Sequence, residues 1–276
     1  MKIVHFLRKR LILWCTLAVM LVFALFPIYW MLNTSFKTTR EIYRMTPTFW
    51  PEQFVWTGYQ KLFASGFLNN VKNSLVVAMI VTVVSIFFAM LAAYAIAKLS
   101  FRGREIISKS ILYAYLMPRS IMFIPLYMLV TSAGLADSIY GLMLVYPTIT
   151  VPYATWMLIS YFTSIPDEIE EAAMIDGCSR FGSMFRVVFP LSAPGISATA
   201  IFSFTLCWSE YLYALVIVSK AAQKTIPLAL SDMVVADVAA WGPLMAGSIV
   251  AAIPVMILYL LVSRNMVSGM TLGGIK

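Results

Sequence analysis

The sequence predicts an all-α membrane protein with six transmembrane helices, and three observations carry that expectation. Of 276 residues, 61% are hydrophobic and 12% charged, about half the charged share of a soluble domain. Six apolar stretches, at 11–32, 71–97, 107–130, 139–162, 194–218 and 243–263, reach the roughly 20 residues needed to cross a hydrocarbon core. The basic residues stand singly or in short clusters at the ends of those stretches. Despite a net charge of +8, that is a membrane pattern rather than a nucleic-acid surface. The expected solvent is the lipid bilayer, and nucleic acid is not an expected partner.

The first stretch follows Lys2, Arg8, Lys9 and Arg10. It is too long for a signal-peptide core and lacks a small-residue cleavage site, so it is expected to be retained. Between the first two stretches lies the longest polar connection, 33–70, with Pro47, Pro51 and aromatics from Phe49 to Tyr59. Lys98, Arg102, Arg104 and Lys109 flank the second connection, Arg180 and Arg186 lie in a polar island at 164–193, and Arg264 and Lys276 lie in the tail. Six crossings put these segments on one side, and short loops rich in Lys and Arg stay in the cytoplasm. Both termini are therefore expected to be cytoplasmic, in a multi-pass protein forming one transmembrane domain over 1–276. Residues 33–70 would be extracytoplasmic and 264–276 a cytoplasmic tail. Lys37, Arg40, Arg44, Lys61, Lys72, Lys220 and Lys224 fall on the opposite side, mostly in longer loops where the rule weakens.

Pro27, Pro118, Pro125, Pro147, Pro152 and Pro254 punctuate the spans. Together with many small residues they fit a bundle that bends, as a transporter must, although prolines are also common in membrane helices generally.

Catalytic chemistry finds no footing. His5 is the only histidine, and Cys15, Cys178 and Cys207 lack ligand spacing. No G-x-x-x-x-G-K-[ST] loop cradles a nucleotide phosphate. There is no nucleophile–base pair and no paired carboxylate. The chain reads as a non-catalytic subunit without a cofactor of its own.

The polar island is the most informative segment. Pro166 suits a first helical position, and Asp167, Glu168, Glu170 and Glu171 place negative charge near the positive helix end. Ile165, Ile169, Ala172 and Asp176 recur at helical spacing and form one narrow face with small side chains. Gly177 is expected to stop this helix, Ser179 to cap a second one carrying Phe181, Phe185 and Val188, and Pro190 to end it. Such an elbow fits a docking element gripped by another protein. It equally fits an amphipathic helix lying on the membrane surface.

The stretch resembles the EAA loop of ABC importer permeases: Glu171, Ala172, Ala173, then Gly177 after three residues, then Val187, Phe189 and Pro190, with Asp176 before the glycine. Cys178 and Phe189 stand where alanine and leucine are commoner. The likeness extends through Asn73-Ser74-Leu75, Ala93-Tyr94-Ala95, Phe101-Arg102-Gly103, Pro125-Leu126-Tyr127, Gly134-Leu135, Asp137 and the glycine-rich end from Ser268 to Lys276. It is that of a carbohydrate permease, similar to the second permease subunit of maltose-type importers. Two departures stand out: Gly58-Tyr59 for the usual Asn-Tyr, and Trp208-Ser209-Glu210 for Trp-Asn-acid.

The resemblance implies a type I ABC importer transmembrane subunit in a bacterial inner membrane, one half of a permease heterodimer. Its implied partners are a second permease subunit, a cytoplasmic ATPase dimer that carries ATP and Mg, an extracytoplasmic solute-binding protein and a sugar substrate. Glu171, Ala172, Ala173, Asp176, Gly177 and Pro190 would couple to the ATPase, with Glu171 meeting a basic side chain. The segment 219–241 is similar to the one that approaches the delivered substrate. It and 33–70 would face the binding protein, or else cover the membrane surface.

Two charges fall inside expected spans, where charge is costly and marks function by default. At 1.5 Å per residue, Arg119 lies roughly 20 Å and Glu210 roughly 24 Å from the cytoplasmic start of its span. An ion pair is open to them. They would line or gate the sugar path with Trp208, Tyr211 and Tyr213 as aromatic faces, or else Glu210 ends its span near the interface and Arg119 is a structural staple. A secondary transporter is the rival class, but the docking loop argues against it. Among importers, polyols, glycerol phosphates and amino acids stay open as solutes.

Overall fold

The computed structural model describes the backbone of residues 2–235 and 238–272 and the side chains of 9–234 and 240–262. The side chains of Lys2, Arg8 and Arg264, and the end of the chain beyond Leu272, lie outside the described residues. The chain order is α1 (Lys2–Ser35), α2 (Thr39–Ile42), α3 (Thr57–Ala64), α4 (Phe67–Lys98), α5 (Arg104–Leu116), α6 (Arg119–Ser132), α7 (Ile139–Val145) and α8 (Pro147–Thr163). Then come α9 (Asp167–Ile175), α10 (Arg180–Ser183), a π-turn (Met184–Val188) and α11 (Phe189–Leu191). The chain continues with α12 (Ala193–Trp208), α13 (Leu212–Ile217), α14 (Ile226–Ser231), a two-stranded hairpin β1 (Val234–Val235) and β2 (Val238–Ala239), and α15 (Trp241–Leu272).

Four stretches can cross a membrane: Lys9–Ser35, Phe67–Lys98, Ile139–Thr163 and Trp241–Val262. Two bent pairs bring the total to six spans, Arg104–Leu116 with Arg119–Ser132 at 96° and Arg180–Leu191 with Ala193–Trp208 at 76°. Two expected straight spans are thereby corrected. The 107–130 stretch is two helices meeting at a corner, because Pro118 pushes Met117 out of the helical region to φ −65°, ψ 131°. The 194–218 stretch breaks after Trp208 and resumes as α13.

Pro190 likewise does not end its helix. A proline there lacks the N–H and crowds the carbonyl four residues back. The π-turn just upstream widens the coil, with the Phe189 N–H reaching the Met184 carbonyl, and the helix runs on to Leu191. The turn falls instead at Ser192, ahead of Pro194.

The residues fall into two compact units, Met1–Phe67 with Leu230–Ile253, and Leu68–Ala229 with Pro254–Lys276. In the first, the polar connection 33–70 is a folded piece built around buried Glu41. The Glu41 carboxylate accepts the Thr48 hydroxyl and the Glu52 N–H. Lys37 donates to the Thr48 carbonyl and sits 4.9 Å above the Trp30 ring. Gly58 explains one departure from the family pattern. A Cβ there would meet the carbonyl oxygens of Gly242 at 2.9 Å and Ser35 at 3.0 Å, which leaves no room for asparagine.

In the second unit α8 packs against α5 and α12. Its core is made of small and aliphatic side chains, Ala89, Ala93, Ala154, Leu158 and Val188, with Phe162 among them. The Ser85 and Thr150 hydroxyls, 2.6 Å apart and buried, join α4 to α8.

Candidate functional site

The island folds as the expected elbow. Asp167, Glu168 and Glu170 occupy the first turn of α9, and Pro166 stands at the N-cap, one position before the expected first helical residue. Gly177 adopts φ 93°, a left-handed conformation that costs a glycine nothing, and the Cys178 N–H closes back on the Ala173 carbonyl at 3.0 Å. Ser179 caps α10 by accepting the Gly182 N–H at 3.1 Å. An aromatic ladder then runs inward, Phe181 to Phe185 at 4.9 Å, Phe185 to Phe189 at 5.0 Å and Phe189 to Phe162 at 5.6 Å.

The outward side of α9 carries Ile169, Glu171, Ala172 and Asp176, all exposed, with Ile175 at 86%. Ala173 is half-buried, Gly177 and Pro190 are exposed, and Ile165 packs inward against the core rather than joining that face. The coupling candidates thus share one elbow. Glu170, one residue from Glu171, is turned the other way and is 6% exposed.

That inward side holds residues that sequence reasoning missed as a set. The Tyr94 hydroxyl donates to the Glu170 carboxylate. Lys98 donates to the Ile165 carbonyl at 2.5 Å and to the Asp167 carboxylate at 2.6 Å, with its own side chain 3% exposed. The Lys98 hydrogen bond and charge hold the Asp167 carboxyl below its ordinary range. The available signal was Tyr94 and Lys98 one turn apart on the end of α4, opposite two acids three apart on α9.

Arg119 and Glu210 both sit at helix breaks. Arg119 opens α6 after the corner, and Glu210 lies between α12 and α13. Glu210 is 4% exposed, and its carboxylate accepts the N–H of Tyr213 at 3.1 Å and of Ala214 at 3.3 Å. It satisfies two donors that a helix start otherwise leaves unpaired, and its charge complements that helix end. The Tyr146 hydroxyl lies near the same carboxylate without meeting hydrogen-bond geometry. Arg119 attracts Glu210 electrostatically and α6 packs on α13, but no ion pair joins the two.

Trp208 is 6% exposed and stacks on Phe204 at 5.4 Å, so its ring is turned into this chain's own packing. Tyr213 is buried as well, and Tyr211 is half-buried. Ser209, the second departure from the family pattern, spends its hydroxyl on the Thr205 carbonyl at 2.8 Å.

The segment after α13 is clasped from two sides. Asn70 and Asn73 donate to the Lys224 carbonyl at 2.9 and 3.1 Å, and Asn69 and Asn73 to that of Ala222 at 2.7 and 2.8 Å. Ser74 accepts the Ile226 N–H at 2.8 Å. Asp137 accepts the N–H groups of Ser219 and Lys220, both at 2.7 Å.

A bent six-span bundle bearing an exposed helical elbow and a clasped loop defines a membrane permease rather than an enzyme. The chain belongs to the family of binding-protein-dependent transport system inner membrane components, whose model matches residues 85–268. It is therefore a permease subunit of an ABC importer, a non-catalytic component of the inner membrane, and not a secondary transporter. It is 38% identical to the inner membrane ABC transporter permease protein YcjP of Escherichia coli, over 97% of each chain. It is 34% identical to the diacetylchitobiose uptake system permease protein DasC of Streptomyces coelicolor, over 95% of each. The fold is that of a bacterial ABC transporter for the import of the acidic polysaccharide alginate. That match has a TM-score of 0.77 at 20% identity, over 92% of this chain and 95% of that one.

Proposed function

We propose that this chain forms half of the translocation path for a sugar or sugar-like solute, beside a second permease subunit. An extracytoplasmic binding protein delivers the solute, and a cytoplasmic ATPase dimer, which carries the ATP and Mg, drives alternating access. Both termini and the α9–α10 elbow face the cytoplasm. The whole chain, 1–276, works as one permease domain, with 33–70 and the clasped segment after α13 on the outer side. Glu171 meets a basic ATPase side chain, Ala172 and Ala173 let the surfaces approach, and Asp176, Gly177 and Pro190 shape the elbow. Arg119, Glu210, Trp208 and Tyr211 border the path, with Glu210 shaping it through the helix break that it caps.

The observation that supports the coupling role is the division of labour on α9. Glu171 and Ala172 are exposed while Glu170, their neighbour, is buried. The sugar reading rests on likeness over nearly the full chain to a diacetylchitobiose uptake permease. The test is uptake of labelled oligosaccharides by proteoliposomes holding the purified complex. ATP-dependent uptake of at least one is expected, together with an ATP-hydrolysing subunit that co-purifies with the chain. A complex without such a subunit overturns the reading.

A further inference from the structure

The inward side of α9 is tied to α4 at two points in register. On α4, Tyr94 and Lys98 are four residues apart and so share one face; on α9, Asp167 and Glu170 are three apart and share another. A single bond would leave α9 free to roll about its axis or pivot. Two bonds about one helical turn apart oppose both motions.

The tie is also well protected. Tyr94 is 5% and Glu170 6% exposed, and the Lys98 side chain is 3% exposed. Buried among Ala93, Phe162 and Met184, the Glu170 carboxylate has the Tyr94 hydroxyl as its hydrogen-bond donor. Rolling α9 would strip a charged group of that donor, and the cost of an unmet buried acceptor discourages it. Successive helical residues are rotated by about 100°. Holding Glu170 inward therefore turns Glu171 and Ala172 outward.

We propose that Tyr94 and Lys98 are positioning residues of the coupling step, a two-point latch that sets the azimuth of α9 and passes its displacement to α4. This inference rests on the reading of α9 as the ATPase-facing element. The latch makes α9 and the second span move as one body, where an unlatched elbow would yield and dissipate the stroke. The aromatic ladder from Phe181 holds the second arm of the elbow to the same core through apolar contact alone, which slides more readily than a hydrogen-bonded tie.

The experiment is to reconstitute the complete complex with Tyr94→Phe, which keeps the ring and removes the hydroxyl. Uptake and ATP hydrolysis are measured in the same vesicles. The expected result is about a tenfold rise in ATP hydrolysed per solute imported, with assembly intact, because the unpaired carboxylate lets α9 roll. Glu170→Gln, whose amide oxygen still accepts the tyrosine proton, should restore most of the coupling lost in Glu170→Ala. A merely structural role would lower yield and both rates together and leave that ratio unchanged. If Tyr94→Phe does not accumulate, Lys98→Met reads the second tie and should raise the ratio about threefold. Ratios within twofold of the parent for both Tyr94→Phe and Lys98→Met overturn the latch. A parent complex lacking ATP-driven uptake overturns the functional reading beneath it, so the two failures are distinct.

Discussion

Asp137 holds the backbone N–H of Lys220 on its carboxylate at 2.7 Å, across 83 residues of sequence. Asp137 itself adopts φ 58°, a conformation rare outside glycine, and its own N–H is spent on the Ile217 carbonyl at 2.9 Å. One residue thus fixes both the end of α13 and the loop that leaves it. Asp137→Ala is expected to release the loop and raise amide hydrogen exchange at Ser219 and Lys220 about tenfold, with exchange in the core of α12 unchanged.

The same contact has a pH signature. The N–H groups of Lys220 and Ser219 hold the Asp137 carboxyl below its ordinary value of 3.8. A depressed carboxyl contributes its tie fully above the ordinary value and loses it as pH falls through the depressed one. The loop should therefore stay clasped at pH 4 and loosen only in stronger acid. Anisotropy of a fluorophore attached through Ala221→Cys, with Cys15 and Cys178 replaced by alanine, should fall only below pH 4.

Glu171 and Glu170 are expected to fail differently. Glu171→Lys changes an exposed residue, so thermal stability of the isolated permease should move by no more than about 0.5 kcal/mol. The amount of ATPase co-purified should nevertheless drop about tenfold, through charge reversal at the interface. Glu170→Lys buries a cation against Tyr94 and should lower permease yield outright.

Glu210 separates a cap from a path residue. Glu210→Ala leaves the N–H groups of Tyr213 and Ala214 without their acceptor, at about 1–3 kcal/mol. Glu210→Gln keeps an acceptor in place. Near-parental melting and uptake in the glutamine variant mark a cap, whereas lost uptake at parental melting marks a charge that the solute feels.

Gly58→Asn restores the commoner family residue at a position without room for it. The nearest atoms are backbone oxygens, which cannot swing aside as a side chain would. A destabilisation of about 1–3 kcal/mol is expected, visible as faster proteolysis between Arg44 and Lys61.

Much of this was legible from residue pattern because it is local. Six apolar runs count off spans whatever the packing, and Gly177 and Ser179 report their own turns through chemistry confined to four or five residues. The corners were harder. Hydropathy is blind to direction, so Arg104–Leu116 and Arg119–Ser132 sum to one apolar stretch although they meet at 96°. Pro118 was visible, but its effect falls on Met117. Pro190 looked terminal because a π-turn that accommodates it has no strong composition of its own. The inward aim of Glu170 and the outward aim of Glu171 depend on Tyr94, 76 residues upstream of Glu170, which no local window contains. Glu210 was noticed for its charge, while its partners lay three and four residues ahead.

The widened turn at Met184–Val188 makes this stretch sensitive to length rather than to chemistry. Conservative replacements there should pass quietly. Removing any one of its residues would let the coil tighten to its regular pitch and swing everything downstream by about 100°. Ser192, Pro194 and the whole of α12 would then point elsewhere, so a missing codon in this short window would disable the subunit where most missense changes would not.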